Sequence, residues 1–179
     1  MPDFSTHPFS ESTSQHRAEA PTSVGIAVLT VSDTRTQEDD ASGRLIRDHL
    51  NFRGHDILSY RIVRDDAAAI LDTLQAWLSD PQIQAIIING GTGIAGRDVT
   101  YASIANLIQK PMPGFGELFR MLSWDEVGAA SMLSRAIAGV SENTVIFSIP
   151  GSVNAVRLAL EKLIGPELGH VVHEINKQN

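Results

Sequence analysis

Four apolar runs of strand length recur along the chain and alternate with segments of helical spacing. Val24–Val31 is apolar and rich in β-branched residues, which is typical of a strand covered on both faces. Ile57–Val63, Gln84–Asn89 and Thr144–Ile149 are interpreted as three further strands, of which Gln84–Asn89 is also expected to be buried. Because every connection between these runs is longer than a hairpin loop, the pattern predicts an α/β fold with three layers, α/β/α, around a mostly parallel central sheet.

Polar residues ahead of the periodic apolar segments predict where helices begin. Ser42 precedes Leu45 and further apolar residues at helical spacing, and we expect it to cap a helix that stops at Gly54. Ser123 and Glu126 have the spacing of a capping box, in which two side chains satisfy free N–H groups at a helix start. That spacing predicts a second helix beginning at this point.

The first 22 residues differ from the rest of the chain. Residues 1–22 are rich in Ser, Thr, His and Glu and have few apolar side chains to bury, so we expect a disordered tail. Residues 23–179 have the length of one domain. The chain has neither a run of about 18 apolar residues nor the pattern of a secretory signal, and we interpret the protein as cytoplasmic.

Composition excludes several classes of chemistry. The chain has 0 Cys, which rules out disulfides, thiolate nucleophiles and iron–sulfur clusters. Its formal net charge is −7, so we expect no general attraction to nucleic acid or to an anionic membrane. An anionic ligand therefore needs a local binding site.

Polar and glycine-bearing segments follow the strands, at the edge where parallel sheets bind ligands. The glycine turn Gly90–Gly93 follows a buried strand, and backbone N–H groups in such a turn can converge on a phosphate. A tight turn without a ligand is the alternative. We expect the site to be built from the residues that end the strands: Ser32, Asp33, Asp65, Gly90, Gly91, Thr92, Gly93, Pro150, Gly151 and Ser152.

Asp98 lies just after the glycine turn. A carboxylate beside a bound phosphate repels it unless a hard divalent cation lies between them, so Asp98 indicates magnesium. Capping of a helix from Thr100 is the alternative role. Asp65 is either a second carboxylate of the same site or a helix cap. The cations available to offset a polyphosphate are Arg97, Arg120, Arg135 and Lys110.

Other motif readings are weaker. Gly91 to Gly96 matches the glycine spacing of dinucleotide-binding folds, but no strand that ends in an acidic residue follows about 20 positions later. A nucleotide-dependent oxidoreductase is therefore disfavoured. His170 and His173 are three residues apart but have no third ligand nearby, which disfavours zinc.

Several motifs in one order resemble the MoaB/MogA family of molybdenum cofactor biosynthesis proteins. The resemblance covers Val24 to Ile164, and the Phe119–Ser123 stretch is most similar to the MoaB branch. The motifs that carry it are Gly90-Gly-Thr-Gly with Arg97-Asp-Val-Thr100, Pro113-Gly-Phe-Gly-Glu117, Ser134-Arg-Ala-Ile-Ala-Gly139 and Ile149-Pro-Gly-Ser152.

The resemblance implies a molybdopterin-binding fold and, for catalytic members, transfer of AMP from Mg-ATP to the terminal phosphate of molybdopterin with release of pyrophosphate. By matched position, Asp98 is the catalytic and Mg²⁺-linked aspartate, Asp65 a second important acid, and Gly90–Gly93 the phosphate-binding turn. The residues that fall in the pterin and nucleotide pocket are Glu117, Ser134, Arg135, Pro150, Gly151 and Ser152. A catalytically inactive molybdopterin-binding or carrier paralogue is the alternative. The resemblance also implies a homo-oligomer, with a hexamer favoured over a trimer.

Overall fold

The computed structural model describes residues 19–93 and 99–177. Asp98 and Arg97 lie outside the described residues, as does most of the predicted tail 1–22. The tail therefore stays a prediction. No helix within the described ranges is long and apolar enough to cross a membrane.

One mixed sheet of six strands forms the centre of the molecule. The strands are β1 (Gly25–Val31), β2 (Asp56–Val63), β3 (Ala85–Gly90), β4 (Lys110–Pro111), β5 (Ile137–Ser141) and β6 (Thr144–Ile149). Their order across the sheet is β2-β1-β3-β6-β5-β4. The pairs β1–β2, β1–β3 and β3–β6 are parallel, whereas β5 pairs antiparallel with both β6 and β4. The predicted mostly parallel sheet is confirmed.

Helices cover both faces of this sheet. They are α1 (Ala41–Phe52), α2 (Ala67–Leu78), α3 (Thr100–Leu107), α4 (Pro113–Val127), α5 (Val153–Ala159) and α6 (Gly165–Asn176), with a 3-10 segment at Gly128–Leu133 and a π-helical turn at Leu160–Ile164. Alternate residues of β1 feed two separate cores: Ile26 and Val28 on one side, Ala27 and Leu29 on the other. The first core also takes residues from α1, α4, α5 and α6, and the second takes them from α2 and α3. The α/β/α layering is therefore confirmed.

The expectation that no connection would be a hairpin is wrong. β5 and β6 are joined by Glu142 and Asn143, and Glu142 has a positive φ of 54°. The sequence of β5, Ile-Ala-Gly-Val-Ser, has no continuous run of large apolar side chains, and its pairing with β6 is what makes it a strand. The chain therefore ends its sheet in an antiparallel edge.

Two predicted helix starts are also wrong. Asp40, not Ser42, caps α1, and its carboxylate accepts a hydrogen bond from the Gly43 N–H at 3.0 Å. Ser123 lies inside α4, where its hydroxyl donates to the Phe119 carbonyl at 2.7 Å. A serine inside a helix can bond the carbonyl four residues earlier without ending the helix. The spacing of Ser123 and Glu126 therefore occurs within one continuous helix and does not mark a helix start.

Candidate functional site

The glycine turn after β3 is needed by the backbone itself. Gly90 and Gly91 have φ values of 97° and 62°, in the region that side chains with a Cβ rarely occupy. A Cβ on Gly90 would overlap the Val31 carbonyl, and a Cβ on Gly91 would overlap the side chain of Thr100. Glycine at these positions lets the end of β3 lie directly against β1 and the start of α3.

The turn after β6 meets the glycine turn. A Cβ built on Gly151 would be 3.0 Å from the Gly90 Cα, so the two segments are in close backbone contact. Ser152 caps α5, and its hydroxyl accepts a hydrogen bond from the Ala155 N–H at 3.3 Å. The fold thus brings Pro150–Ser152 to Gly90, while the Ser152 hydroxyl serves the helix start.

Asp65 lies beside this contact, on the β2 side. Its Oδ1 accepts a hydrogen bond from the Thr100 hydroxyl at 2.8 Å, and its backbone N–H donates to Asp33 Oδ1 at 3.2 Å. Asp66, not Asp65, caps α2. The Asp65 side chain is therefore not used as a helix cap, and Thr100 ties it to the glycine turn.

Ser32 shapes the loop after β1. Its hydroxyl accepts hydrogen bonds from the Thr34 and Arg35 N–H groups at 3.3 Å and 3.1 Å. This local turn places Asp33 next to Asp65. Both residues predicted from the end of β1 therefore lie at the same edge of the sheet as the glycine turn.

Arg135 reaches the glycine turn from the other side. Its Nε donates to the Thr92 carbonyl at 3.2 Å, and its Nη2 donates to the Gly93 carbonyl. Its guanidinium also lies over the Tyr101 ring, 4.9 Å from the centroid. Arg135 thus presents a positive charge at the turn while fixing two of the turn's carbonyl groups.

A pocket of about 220 Å³ continues the site beyond Tyr101. Glu117 and Arg120 line it, together with Pro111–Pro113 and Ala136–Ala138. Arg120 Nη1 donates to the Ser134 carbonyl at 3.4 Å, so α4 is joined to the segment that holds Arg135. The predicted pocket residues therefore form two groups: Glu117 and Ser134 beside this pocket, and Pro150–Ser152 beside Gly90.

A buried polar network under the site was missed by sequence reasoning. Asp40 is fully buried, and its Oδ2 accepts hydrogen bonds from the Thr30 hydroxyl at 2.5 Å and the Tyr60 hydroxyl at 2.7 Å. Its Oδ1 lies 2.9 Å from Ser42 Oγ, which in turn lies 2.8 Å from Asn89 Oδ1. The only signal in the sequence was an aspartate three residues before Gly43, which indicates a helix cap and nothing more.

The network changes the acidity of both its ionisable members. Burial disfavours the Asp40 anion, but hydrogen bonds from Thr30 and three other donors outweigh it and hold the Asp40 pKa below its usual value. For Tyr60, burial and then the hydrogen bond to Asp40 raise the pKa to about 12. Asp40 is thus a buried anion surrounded by donors at the ordinary working pH of proteins.

Comparison with known families decides the relationship. Residues 27–170 match the family model described as "Probable molybdopterin binding domain". The chain belongs to the MoaB/MogA family of this domain. The resemblance stated from the motifs is thereby confirmed.

Individual MoaB/MogA relatives cover nearly the whole chain. The molybdenum cofactor biosynthesis protein B of Halalkalibacterium halodurans is 52% identical over 93% of this chain and 98% of its own length. A crystal structure of a molybdenum cofactor biosynthesis protein B has a TM-score of 0.86 at 48% identity, covering 89% of this chain and 99% of that one. The tungsten cofactor synthesizing protein MoaB from Pyrococcus furiosus has a TM-score of 0.76 at 37% identity, with 87% and 99% coverage.

Proposed function

We propose that this chain is a molybdenum cofactor biosynthesis protein that binds molybdopterin and transfers AMP to it from Mg-ATP. The observation that carries the proposal is the meeting of the glycine turn, Asp65 and Arg135 at one edge of the sheet. The names of the MoaB/MogA relatives supply the pathway, and the description of the matching family model supplies molybdopterin as the ligand. ATP and magnesium follow from the family resemblance and from the chemistry of this edge.

The transfer needs positioning and charge neutralisation rather than a covalent intermediate on the protein. An oxygen of the molybdopterin phosphate forms a bond to the α-phosphorus of ATP. The bond from that phosphorus to the oxygen bridging to the β-phosphate breaks, and pyrophosphate leaves. N–H groups of the glycine turn and the Arg135 guanidinium hold charge that develops on the phosphate oxygens. Neither group has to gain or lose a proton.

The carboxylates at this edge suit magnesium, which prefers oxygen ligands and is usually held by one or two carboxylates plus substrate phosphates. Asp98, the predicted magnesium ligand, lies outside the described residues, and Asp65, with Asp33 beside it, supplies carboxylate oxygens within them. The described ranges hold no group of three metal-binding side chains. A metal that arrives with ATP needs no such group, and when bound it neutralises phosphate charge.

The deciding experiment is an assay of the purified chain with molybdopterin, ATP and magnesium. Chromatography should show adenylylated molybdopterin and an equal amount of pyrophosphate. Asp98→Asn and Asp65→Asn should keep the fold and lose turnover by about a hundredfold or more, since each removes a charge at the transfer site. Asp72→Asn, on the exposed part of α2, is the matched control and should retain full turnover.

Two results would contradict the transferase. Unimpaired turnover in Asp98→Asn would remove the role assigned to that aspartate. Absence of product from the unaltered chain, with molybdopterin still bound, would favour the catalytically inactive carrier paralogue instead. Calorimetry with Mg-ATP separates the two functions, because a carrier has no need to bind the nucleotide.

We also propose that the chain is a homo-oligomer, with a hexamer favoured over a trimer. Four apolar side chains that are about half exposed follow one another at three-residue spacing along α4: Leu118, Met121, Trp124 and Val127. Met132 and Leu133 in the next segment are 76% and 53% exposed. The four side chains wind across the exposed side of α4, and an exposed apolar patch of this kind is typical of a surface that another protein covers. Light scattering should give the mass of three or six chains, and a monomer would overturn the proposal.

A further inference from the structure

Arg35 is a cation at the carboxyl edge of the sheet that none of the sequence motifs singled out. Its Nη2 donates to the Gly151 carbonyl at 2.9 Å. A Cβ on Gly151 would be 3.0 Å from the Gly90 Cα and 3.6 Å from Arg35 Nη1. The guanidinium therefore lies where the turns after β3 and β6 meet, and its side chain is 31% exposed.

The guanidinium is held in place from below by the buried network. Arg35 Nη1 donates to Ser42 Oγ at 2.6 Å and lies 3.4 Å from Asp40 Oδ1. Asp40 is fully buried, so its carboxylate is shielded from solvent. A long side chain fixed in this way loses little additional freedom when it binds a ligand, which favours affinity.

Arg35 and Asp40 form an ion pair, but Asp40 also has closer neutral partners. The hydroxyls of Thr30, Tyr60 and Ser42 and the Gly43 N–H bond the Asp40 carboxylate at 2.5 to 3.0 Å. The contact from Arg35 is longer, at 3.4 Å. Bonds within residues 19–93 and 99–177 leave the Arg35 Nε–H and one Nη2–H available. Two donors on a fixed, partly exposed cation suit the planar, bidentate binding of a phosphate.

We propose that Arg35 binds a phosphate group of the substrates at this edge, and that Asp40 is a positioning residue that presents the Arg35 guanidinium. The inference rests on the proposed function, because that function supplies the phosphates. The phosphate belongs either to ATP or to molybdopterin, and the chemistry of recognition is the same for both. Arg35 thus adds a second cation at this edge: Arg35 contacts Gly151 beside Gly90, and Arg135 contacts Thr92 and Gly93.

The test measures dissociation constants by calorimetry for Arg35→Gln and for the control Arg61→Gln, which removes the same charge from exposed edge strand β2. ATP is paired with adenosine, and molybdopterin with a pterin that lacks phosphate. Arg35→Gln should weaken binding of the phosphate-bearing member of at least one pair by about ten- to a hundredfold. It should leave the phosphate-free members within about twofold. The pair that responds identifies the phosphate.

Two further readouts separate binding from a merely structural role. Arg35→Gln should reduce the dependence of log Kd on log salt for the responding ligand, because one ionic contact is gone. Arg35→Lys, which keeps the charge without the planar fork, should recover part of the affinity. Asp40→Asn should weaken binding of the same ligand by about tenfold. The double variant Arg35→Gln with Asp40→Asn should bind that ligand no more weakly than Arg35→Gln alone.

The inference is overturned if Arg35→Gln binds both phosphate ligands as tightly as Arg61→Gln does. It is also overturned if Arg35→Gln loses equal affinity for ligands with and without phosphate. If the unaltered chain binds neither ATP nor molybdopterin, the proposed function fails together with the inference. If the parent chain binds the phosphate ligands tightly and Arg35→Gln binds them equally well, the inference about Arg35 fails while the proposed function stands.

Discussion

At the amino ends of the strands, a cavity of about 1020 Å³ is lined in part by amide side chains, including Gln75, Gln84 and Gln109. At the carboxyl ends, the pocket beside Tyr101 holds only about 220 Å³. The larger cavity lacks the features of an anion site. Gln84 accepts from the Gly25 N–H at 3.1 Å, and Gln109 and Glu142 bond each other. These polar groups bond the backbone or one another at the amino ends of the strands.

The carboxyl edge uses its polar groups differently. Arg35 bonds the Gly151 carbonyl beside Gly90, Arg135 bonds the Thr92 carbonyl, and both cations are held in place by surrounding groups. Helices α3 and α5 begin at this edge, so the positive ends of their peptide dipoles face it. Chain direction and fixed charge, not cavity volume, therefore distinguish the proposed ligand-binding end of the sheet. The following variants test that comparison, beginning with the largest expected effect.

Gly90→Ala at the carboxyl edge and Gly25→Ala at the amino edge both introduce a methyl group against a backbone carbonyl. Gly90 also has a φ of 97°, so its substitution adds backbone strain. We expect Gly90→Ala to lower the free energy of unfolding by about 4 kcal/mol and to abolish phosphate binding. Gly25→Ala should lower stability by about 2 kcal/mol and leave binding intact in the folded fraction. Urea denaturation and calorimetry measure both, and equal loss of binding would break the comparison.

Asp40→Asn should lower the free energy of unfolding at pH 7 by about 3 kcal/mol, since it leaves buried donors without their anion. The pKa of Asp40 is lowered by folding, so its stabilisation is present above the unfolded value of 3.8 and is lost as pH falls through the folded value. The variant should therefore show a flatter loss of stability in acid. Urea midpoints from pH 7 downward measure this, and parallel curves for the two proteins would contradict it.

Tyr60→Phe should cost about 1 kcal/mol at pH 7, because one donor to Asp40 is removed while the ring remains. Folding raises the pKa of Tyr60 from 10.0 to about 12, so its contribution is complete below pH 10 and is lost as pH rises toward 12. The parent chain should lose more stability than the variant over that interval. Thermal melts at pH 9 and pH 11 provide the measurement.

Gln109→Ala, at the amino edge, should cost only about 0.5 kcal/mol, because its bonds to Glu142 are exposed. It should leave the affinity for ATP and molybdopterin unchanged. Weakened ligand binding in this variant would mean that the amino-edge cavity takes part in the site. That outcome would reverse the distinction drawn between the two ends of the sheet.

Much of this arrangement is readable in the sequence. The runs that became β1, β3 and β6 are continuous and apolar because these strands are buried on both faces. The glycine turn can be recognised in the sequence because only glycine adopts its backbone angles without strain. The prediction that the site lies at the carboxyl edge follows from parallel topology, since strand ends carry the loops and helix starts together.

Other features depend on partners far away along the chain. β5 is a strand because β6 pairs with it, and its own residues give little indication of that. Asp40 is a local helix cap in sequence, yet in the structure it bonds Thr30 and Tyr60, which lie 10 and 20 residues away. Arg35 reaches Gly151 across 116 residues.

The alternation of strands and helices, the glycine turn and the family can be read from the chain alone, because each depends on neighbouring residues or on an ordered set of local motifs. Which charges meet depends on the folded arrangement. A buried carboxylate needs donors on several sides, and those donors come from elements that folding brings together rather than from adjacent positions. The pairing of Arg35 with Asp40 beneath the two strand-end turns is therefore a property of the folded chain.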